Sequence, residues 1–332
     1  MKKEIKYFFR KPTRSFSIER VFKDIKVEVA KEFKIRFYIN RYKTEGIFKR
    51  TYDIICSSLN QSDINHVTGD VHYLTYFLSK GKTILTIHDI GTYYRLRGLK
   101  KIIFWLFWIW LPIKRCSVIT TVSHTVKYEI LKVVNCEPKK INVLYNPVCD
   151  IYKPSNKAIN LNKIRILHIG STDNKNLKNH IEALKNKNIS FELVVICSDP
   201  KNVRNILKSV DFKFLILSNL SLKNVHQQYQ LCDILLFASL YEGFGLPIIE
   251  AQAVGRPVVT SNYGTMKEIS NGTTCSVNPN DPSSIYAGLE KIIKNKKYRD
   301  SLIVKGFKNV KRFKAQKIGR DYINLYKEIL SK

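Results

Sequence analysis

A carboxylate, a Gly-x-Gly turn and a second carboxylate stand together in "EGFGLPIIEAQAVGRPVVTS", Glu242 to Ser261. The preceding run, "DILLFAS", reads as a strand, and Pro247 suits the first position of a helix, where its missing N–H costs nothing. Gly255 suits the residue just past that helix, and "RPVVTS" opens the next strand. Gly243 and Gly245 are therefore expected at the C-terminal end of a parallel strand, where open α/β sheets bind ligands. The amides of Phe244, Gly245 and Leu246, with the helix dipole behind them, would make an anion site. Glu242 in the loop and Glu250 about one turn into the helix can accept hydrogen bonds from hydroxyls. Glycines with carboxylates suit a diphosphate flanked by hydroxylated rings, and a nucleotide sugar is such a ligand. An ordinary tight turn with two solvated glutamates is the bland reading of the same residues.

The elements that must position this stretch are legible as apolar runs. Strands are expected at "EIKYFF", "KIRFYIN", "INHVTG", "TILTIHD", "SVITTVS" and "INVLYNP", then at "IRILHIG", "FELVVIC", "FKFLILS", "DILLFAS", "RPVVTS" and "TTCSVNP". Little polar alternation within them suits strands covered on both faces, and their alternation with helical segments points to doubly wound α/β layers. The Pro- and Asn-bearing stretch "NPVCDIYKPSNKAINLNK" separates the two series. Domains are expected at 1–155 and 156–314, with 315–332 as an amphipathic terminal helix packing toward the N-terminal domain through Ile318, Tyr322, Ile323, Tyr326 and Ile329.

The chain has 332 residues, 44% of them hydrophobic, which is enough for two globular domains. Fifty-seven Lys+Arg against 27 Asp+Glu give a net charge of +30, which favours polyanionic partners such as phosphorylated substrates or an anionic membrane. Nucleic acid is not expected, because no zinc-finger spacing, aromatic RNA-binding strand or recognition-helix pattern is present. Seven cysteines without Cys-x-x-Cys spacing read as reduced thiols in the cytoplasm. No secretory leader or transmembrane helix is expected. No metal or other cofactor is expected either, since the chain has no Asp-x-Asp and no His/Cys cluster at ligand spacing. "LKKIIFWLFWIWLPIKR", Leu99 to Arg115, holds all three tryptophans between basic residues. It suits peripheral contact with the cytoplasmic face of an anionic membrane, or a buried helix.

The Glu-x7-Glu pair Glu242 and Glu250, within "EGFGLPIIEAQAVGRPVV", resembles the signature of retaining glycosyltransferases of the GT-B fold, family 4 (glycosyl transferases group 1). "ILHIGSTDNKNLKNHIEAL", "VHQQYQLCDILLFAS" and "NGTTCSVNPNDPSSIYAGLEKIIKN" resemble the family's C-terminal domain, and "TILTIHDIG", "VITTVSHTVKYEILK" and "INVLYNPV" its N-terminal one. The resemblance implies two Rossmann-like domains facing across a cleft, with the nucleotide-sugar donor on the C-terminal domain and a glycan or lipid-linked acceptor on the N-terminal one. It implies sugar transfer in cell-surface polysaccharide synthesis: lipopolysaccharide, capsule or exopolysaccharide.

By the same likeness Glu250 binds the ribose hydroxyls, and Glu242 holds the donor sugar with the amides of Phe244 and Gly245. Lys175 would neutralise the diphosphate as charge grows on it. Gly170, Ser171, Gly243 and Leu246 complete the implied donor site. His88, at the end of "TIHD", would approach the donor sugar, with His66, Asp89, Arg14 and Ser15 on the acceptor side and Gly69 allowing close backbone approach. Ser171 stands where many members carry an arginine, and "RKPTRSFSIER" replaces the usual glycine-rich loop after the first strand. A nucleotide-sugar epimerase, a phosphorylase of the same architecture and a basic non-enzymatic binding protein are the competing readings.

Overall fold

The computed structural model describes residues 2–11, 17–43, 46–155, 157–185, 189–208 and 210–331. The chain divides into two compact units, Met1–Pro147 with Ala315–Lys332, and Val148–Lys314. Each holds a six-stranded sheet in which every strand pairing among the described residues is parallel.

In the first unit the strands are β1 (Glu4–Phe9), β2 (Lys34–Ile39), β3 (Ile64–Val67), β4 (Thr83–Ile87), β5 (Val118–Thr121) and β6 (Ile141–Val143), in the order β2-β1-β3-β4-β5-β6. In the second they are β7 (Ile164–Ile169), β8 (Phe191–Ile196), β9 (Lys213–Leu217), β10 (Ile234–Phe237), β11 (Val258–Ser261) and β12 (Cys275–Val277), in the order β12-β11-β10-β7-β8-β9. Every strand falls inside its expected run. β3, β4, β5, β10 and β11 are buried along their whole length, as apolar strands covered by helices on both faces must be. The edge strands β2 and β9 are more exposed and carry Lys34, Arg36 and Lys213, charges that discourage pairing with another chain.

The strand order reverses between β1 and β3 in the first unit and between β7 and β10 in the second. The second order is that of dinucleotide-binding folds, and such reversals leave a crevice at the carboxyl ends of the two diverging strands. The chain passes from one unit to the next at Pro147 rather than at residue 155. Backbone pairing and one ring contact hold the residues after it to the second unit. Val148 pairs with Lys314, the Ser155 amide donates to the Val254 carbonyl, and the Tyr152 ring meets Tyr229 edge-on at 5.4 Å.

The helix Ala315–Leu330 belongs to the first unit. Ile318, Tyr322, Ile323, Tyr326 and Ile329 are all buried, and the helix packs on Ser17–Val29. Tyr322 meets Phe22 at 5.9 Å and Tyr326 meets Phe33 at 5.8 Å between ring centres.

Candidate active site

β7 ends at Ile169, and Gly170 turns the chain with φ 104°, a conformation that side-chain-bearing residues rarely adopt. The missing Cβ also makes room, because one placed there would stand 2.6 Å from Lys175 Cγ. Lys175 therefore lies across the glycine, and its ammonium donates to both oxygens of Glu242 at 2.7 and 2.9 Å. The pair is mostly shielded, with 22% of the lysine and 12% of the glutamate side chain exposed. It spans the point where the strand order reverses, because Lys175 follows β7 and Glu242 follows β10.

Amides fasten the two loops to each other. Asn174 Nδ2 donates to the Tyr241 carbonyl at 2.9 Å, and the Leu240 amide donates to the Asn174 carbonyl at 2.8 Å. Asn176, left-handed with φ 64°, is buried and donates to the Ala238 and Pro279 carbonyls at 3.0 and 2.7 Å. Beneath them two buried imidazoles meet, His180 Nδ1 to His168 Nδ1 at 3.0 Å, while His168 Nε2 reaches the Gly170 carbonyl at 2.9 Å. Burial pushes the His168 pKa down to about 4 and His180 well below its ordinary value. The histidine of "HIG" thus supports the loop.

The helix Leu246–Val254 starts at Gly245, with φ 96°, and Pro247 occupies its second position, where an N–H is equally dispensable. Gly255 closes it with φ 83° and donates its amide to the Ala251 and Gln252 carbonyls. Phe244 is buried edge-on against Phe313 at 5.7 Å, which fixes the chain entering the helix. Glu250 is 4% exposed, and the Tyr229 hydroxyl donates to its Oε2 at 2.8 Å. A carboxylate held inside by a tyrosine is not a solvated surface glutamate. The expected donor set, Gly170, Ser171, Lys175, Glu242, Gly243, Phe244, Gly245, Leu246 and Glu250, all lies on the two loops and one helix after β7 and β10. Tyr229, Asn174 and Asn176 were not singled out from the sequence; only their polar type inside otherwise apolar packing marks them.

In the first unit the expected residues part company. His66, expected on the acceptor side, is fully buried, with Nδ1 to the Tyr326 hydroxyl at 2.8 Å and Nε2 to Thr86 Oγ1 at 2.7 Å. It joins β3, β4 and the terminal helix, and burial pushes its pKa down to about 3. At Gly69 no described group comes close to the backbone, since an added Cβ would meet only Ile18 Cγ2 at 3.8 Å. His88 is half-buried at the end of β4 and donates from Nε2 to the Thr68 carbonyl at 2.8 Å, which leaves Nδ1 as the acceptor of the neutral ring. Burial lowers its pKa, which favours that neutral form.

Asp89 Oδ1 accepts from the Gly91 amide at 2.8 Å, at the start of the short helix Gly91–Arg95. His88 and Asp89 line a cavity of about 940 Å³ together with Arg10, Asp70 and Arg50. Arg10 spans the strand-order reversal, from Glu19 to Asp70, at 3.1 Å each. Arg14 and Ser15 lie outside the described residues, as does the side chain of Ser17.

The tryptophans of the segment Leu99 to Arg115 are half-buried: Trp105 Nε1 donates to the Val133 carbonyl at 2.8 Å, and Trp108 lines the cavity. Its exposed large apolar side chains are Leu99, Ile102, Ile103 and Phe107. Among the described residues no helix is long and apolar enough to cross a membrane, and no group of His, Cys, Asp and Glu has the arrangement of a metal site.

Comparison with known proteins bears on the whole chain. The family described as "Glycosyl transferases group 1" matches residues 153–309, and "Glycosyltransferase Family 4" matches residues 17–150. The O-antigen chain mannosyltransferase RfbU of Salmonella typhimurium strain LT2 is 29% identical over 225 residues, 65% of this chain and 62% of that protein. The O-antigen chain mannosyltransferase B of Escherichia coli is 34% identical over 92 residues, 28% of this chain and 24% of that protein. The chain thus spans less than two thirds of the length of these relatives. The crystal structure of Anabaena HepE in complex with UDP and glucose superposes with a TM-score of 0.79 at 14% identity, over 97% of this chain and 99% of that one, a likeness of fold. The chain belongs to the glycosyl transferases group 1, the family 4 glycosyltransferases of the GT-B fold.

Proposed function

We propose that this chain transfers a sugar, with retention of anomeric configuration, from a nucleotide-sugar donor on the second unit to a glycan or lipid-linked acceptor in cell-surface polysaccharide synthesis. The observation that carries the reading is the Lys175–Glu242 pair at the reversal of strand order, immediately before the helix that holds Glu250. In this reading the diphosphate takes over Lys175, and Glu242 is released to hydroxyls of the donor sugar, with the helix start at Gly245 supplying amides. Glu250, oriented by Tyr229, takes the ribose hydroxyls. Lys175 stabilises the charge that develops on the leaving diphosphate, so no metal is required of this site.

His88 keeps its Nδ1 lone pair for a hydroxyl of the reacting sugars. The leaving phosphate accepts the acceptor's proton as the new bond forms on the same face. The two O-antigen mannosyltransferase relatives support a polysaccharide acceptor, and mannose is the first donor sugar to try. The exposed apolar residues between Leu99 and Phe107, flanked by Lys100 and Lys101, support peripheral contact with the cytoplasmic face of an anionic membrane.

The test is thermal unfolding with UDP, GDP or ADP in EDTA, comparing the natural chain with Glu250→Ala. A ligand that binds only the folded state raises its stability. Selective stabilisation by one nucleotide, lost in the variant, is the expected result. No shift with any of them overturns the donor assignment, and a trapped covalent glycosyl-enzyme overturns the same-face mechanism.

A further inference from the structure

A diphosphate carries negative charge on each phosphate, yet the two loops proposed to receive it carry a single cation. From Gly170 to Asn176 the basic residue is Lys175, and from Ser239 to Gly245 there is none. Beneath these loops lies the pair of imidazoles, His168 on β7 and His180 on the helix Leu177–Leu184, both fully buried.

The contacts of the pair call for more hydrogens than two neutral rings possess. His168 Nε2 stands 2.9 Å from the Gly170 carbonyl and His180 Nε2 3.3 Å from the Ala238 carbonyl, and a carbonyl can only accept. The two Nδ1 atoms stand 3.0 Å apart, a contact that takes one N–H between them. Each of the three contacts therefore needs its own N–H, whereas a neutral imidazole has one. In the neutral pair one contact must set lone pair against lone pair, and the longest, at Ala238, fits that description. One further proton satisfies every contact at once, as an imidazolium bonded to an imidazole.

The surroundings decide when that proton is held. Burial is the main influence against a charged His168; the Gly170 carbonyl favours it, Lys175 opposes it and the Leu236 carbonyl favours it. Burial and His168 oppose charge on His180, and the Ala238 carbonyl favours it. Charges elsewhere on the surrounding elements have other partners. Arg165 on β7 and Lys213 on β9 meet Glu192 on β8, Glu182 on the same helix meets Lys185, and Glu290 meets Lys294 on the helix Pro282–Lys294. Lys291 of that helix lies over the Tyr298 ring, and Asp173 and Lys178 are exposed. Among the described residues Lys175 is thus the charge that acts on the pair. A diphosphate that takes over Lys175 replaces a cation beside the imidazoles by net negative charge, which raises their affinity for a proton.

We propose that His168 and His180 form a proton site of the donor loop, which takes up one shared proton from solvent as the diphosphate binds and so sets a second positive charge beneath Lys175. The proposal rests on the donor reading of the second unit. Neither histidine touches the substrate: they are positioning residues, acting through the Gly170 carbonyl and through the charge they share. The proton returns to solvent when the nucleotide leaves. A proton held more tightly in the complex than in the empty chain makes nucleotide affinity rise as pH falls.

The test is calorimetric titration of the full chain with UDP, GDP and ADP at pH 7.5 and 5.5, in two buffers of different ionisation enthalpy. His180→Asn and His168→Gln each keep an amide near a ring-nitrogen position and cannot ionise; if one does not fold, the other carries the test. The affinity of the natural chain relative to either variant is expected to rise at least about fivefold from pH 7.5 to 5.5, with about half a proton more taken up per nucleotide at the lower pH. Taking the ratio cancels the titration of the nucleotide's own phosphate. Glu182→Gln, on the exposed side of the same helix, should keep its ratio to the natural chain within about twofold. An unchanged ratio for the histidine variants would leave the pair as loop packing alone, and a rise as large against Glu182→Gln would reduce the effect to net charge. Either result overturns the proposal while nucleotide still binds. No binding of any nucleotide at either pH overturns the donor reading and the proton site together.

Discussion

Both units put a cation after their first strand and a carboxylate on the far side of the strand-order reversal: Arg10 to Asp70 at 3.1 Å, and Lys175 to Glu242 at 2.7 Å. The resemblance ends at the second partner. Arg10 also holds Glu19, at 3.1 Å, so its planar fork is spent on two carboxylates and ties the helix Ser17–Val29 to the loop after β3. Lys175 has one carboxylate and a flexible stem laid over a glycine, and a point charge of that kind can change partners. The same topological position thus serves as a latch in one unit and as an exchangeable charge in the other.

The largest effect should come from the exchangeable charge. Lys175→Ala is expected to lower the proposed transfer by about 10²- to 10³-fold, the range seen when a group aimed at developing charge is removed. Arg10→Ala should leave turnover within about tenfold and instead lower the melting temperature, because Glu19, 8% exposed, loses its cation. Initial rates and thermal unfolding of both variants decide the matter. Equal losses of turnover would mean that both pairs do one job, and the contrast between latch and exchangeable charge would be gone.

Gly170→Ala should come next. The new methyl would have to share the space of Lys175 Cγ, 2.6 Å away, at a φ of 104°. About 1–3 kcal/mol of stability should be lost to strain, and the displaced lysine should cost about tenfold in donor affinity. Unfolding with and without nucleotide separates the two losses. A variant that is destabilised but binds nucleotide normally would show that the path of Lys175 over the glycine does not matter to binding.

Acid should weaken both units. His66 in the first and His168 in the second have folded pKa values pushed down to about 3 and about 4 by burial, below the ordinary 6.5 of an exposed histidine. Below pH 6.5 the unfolded chain binds protons that the folded chain refuses. Stability is therefore fully present above that pH and falls until the folded pKa is passed. For His168 this amounts to on the order of 3 kcal/mol. Asp53 and Asp321, whose pKa values burial raises, act in the opposite direction at the acid end. Melting temperatures from pH 7 to 4 should fall, and in His66→Asn the starting value should be lower but the slope shallower. An unchanged slope would mean that His66 takes a proton in the fold.

Legibility from sequence divided along the same line as the two units. The strands were readable throughout, because a parallel strand covered on both faces must be apolar along its length, and "TILTI" or "ILLF" can be little else. The grouping of the second unit's candidate residues was readable too, since its glycines, lysine and carboxylates sit close in sequence to the strand ends that present them. The first unit's was not. The fate of His66 depends on Tyr326, on a helix at the other end of the chain, and nothing in "INHVTG" says which face of β3 that helix covers. Arg10 and Arg50 are two among 57 basic residues, and only the positions of Asp70 and Trp108 single them out. Composition leaves the segment Leu99 to Arg115 open between a membrane-facing and a buried helix, and its π-helical turn with half-buried tryptophans depends on partners of its carbonyls, His72 and Tyr76, that lie elsewhere in the chain.

The smallest expected effect is the sharpest check on the contrast. Gly69 follows β3 as Gly170 follows β7, yet Gly69 is not among the residues of positive φ, and an added Cβ meets only Ile18 Cγ2 at van der Waals distance, 3.8 Å. Gly69→Ala should therefore leave stability unchanged or raise it by up to about 0.5 kcal/mol, since alanine has less unfolded-state freedom to lose. Its rate with a soluble acceptor should stay within about twofold. A loss near that of Gly170→Ala in either measurement would mean that something approaches the loop after β3 as closely as Lys175 approaches Gly170. In an isolated chain nothing described does so; the approaching group would then have to be the acceptor, and a loss confined to KM for the acceptor, with folding and nucleotide binding intact, would identify it.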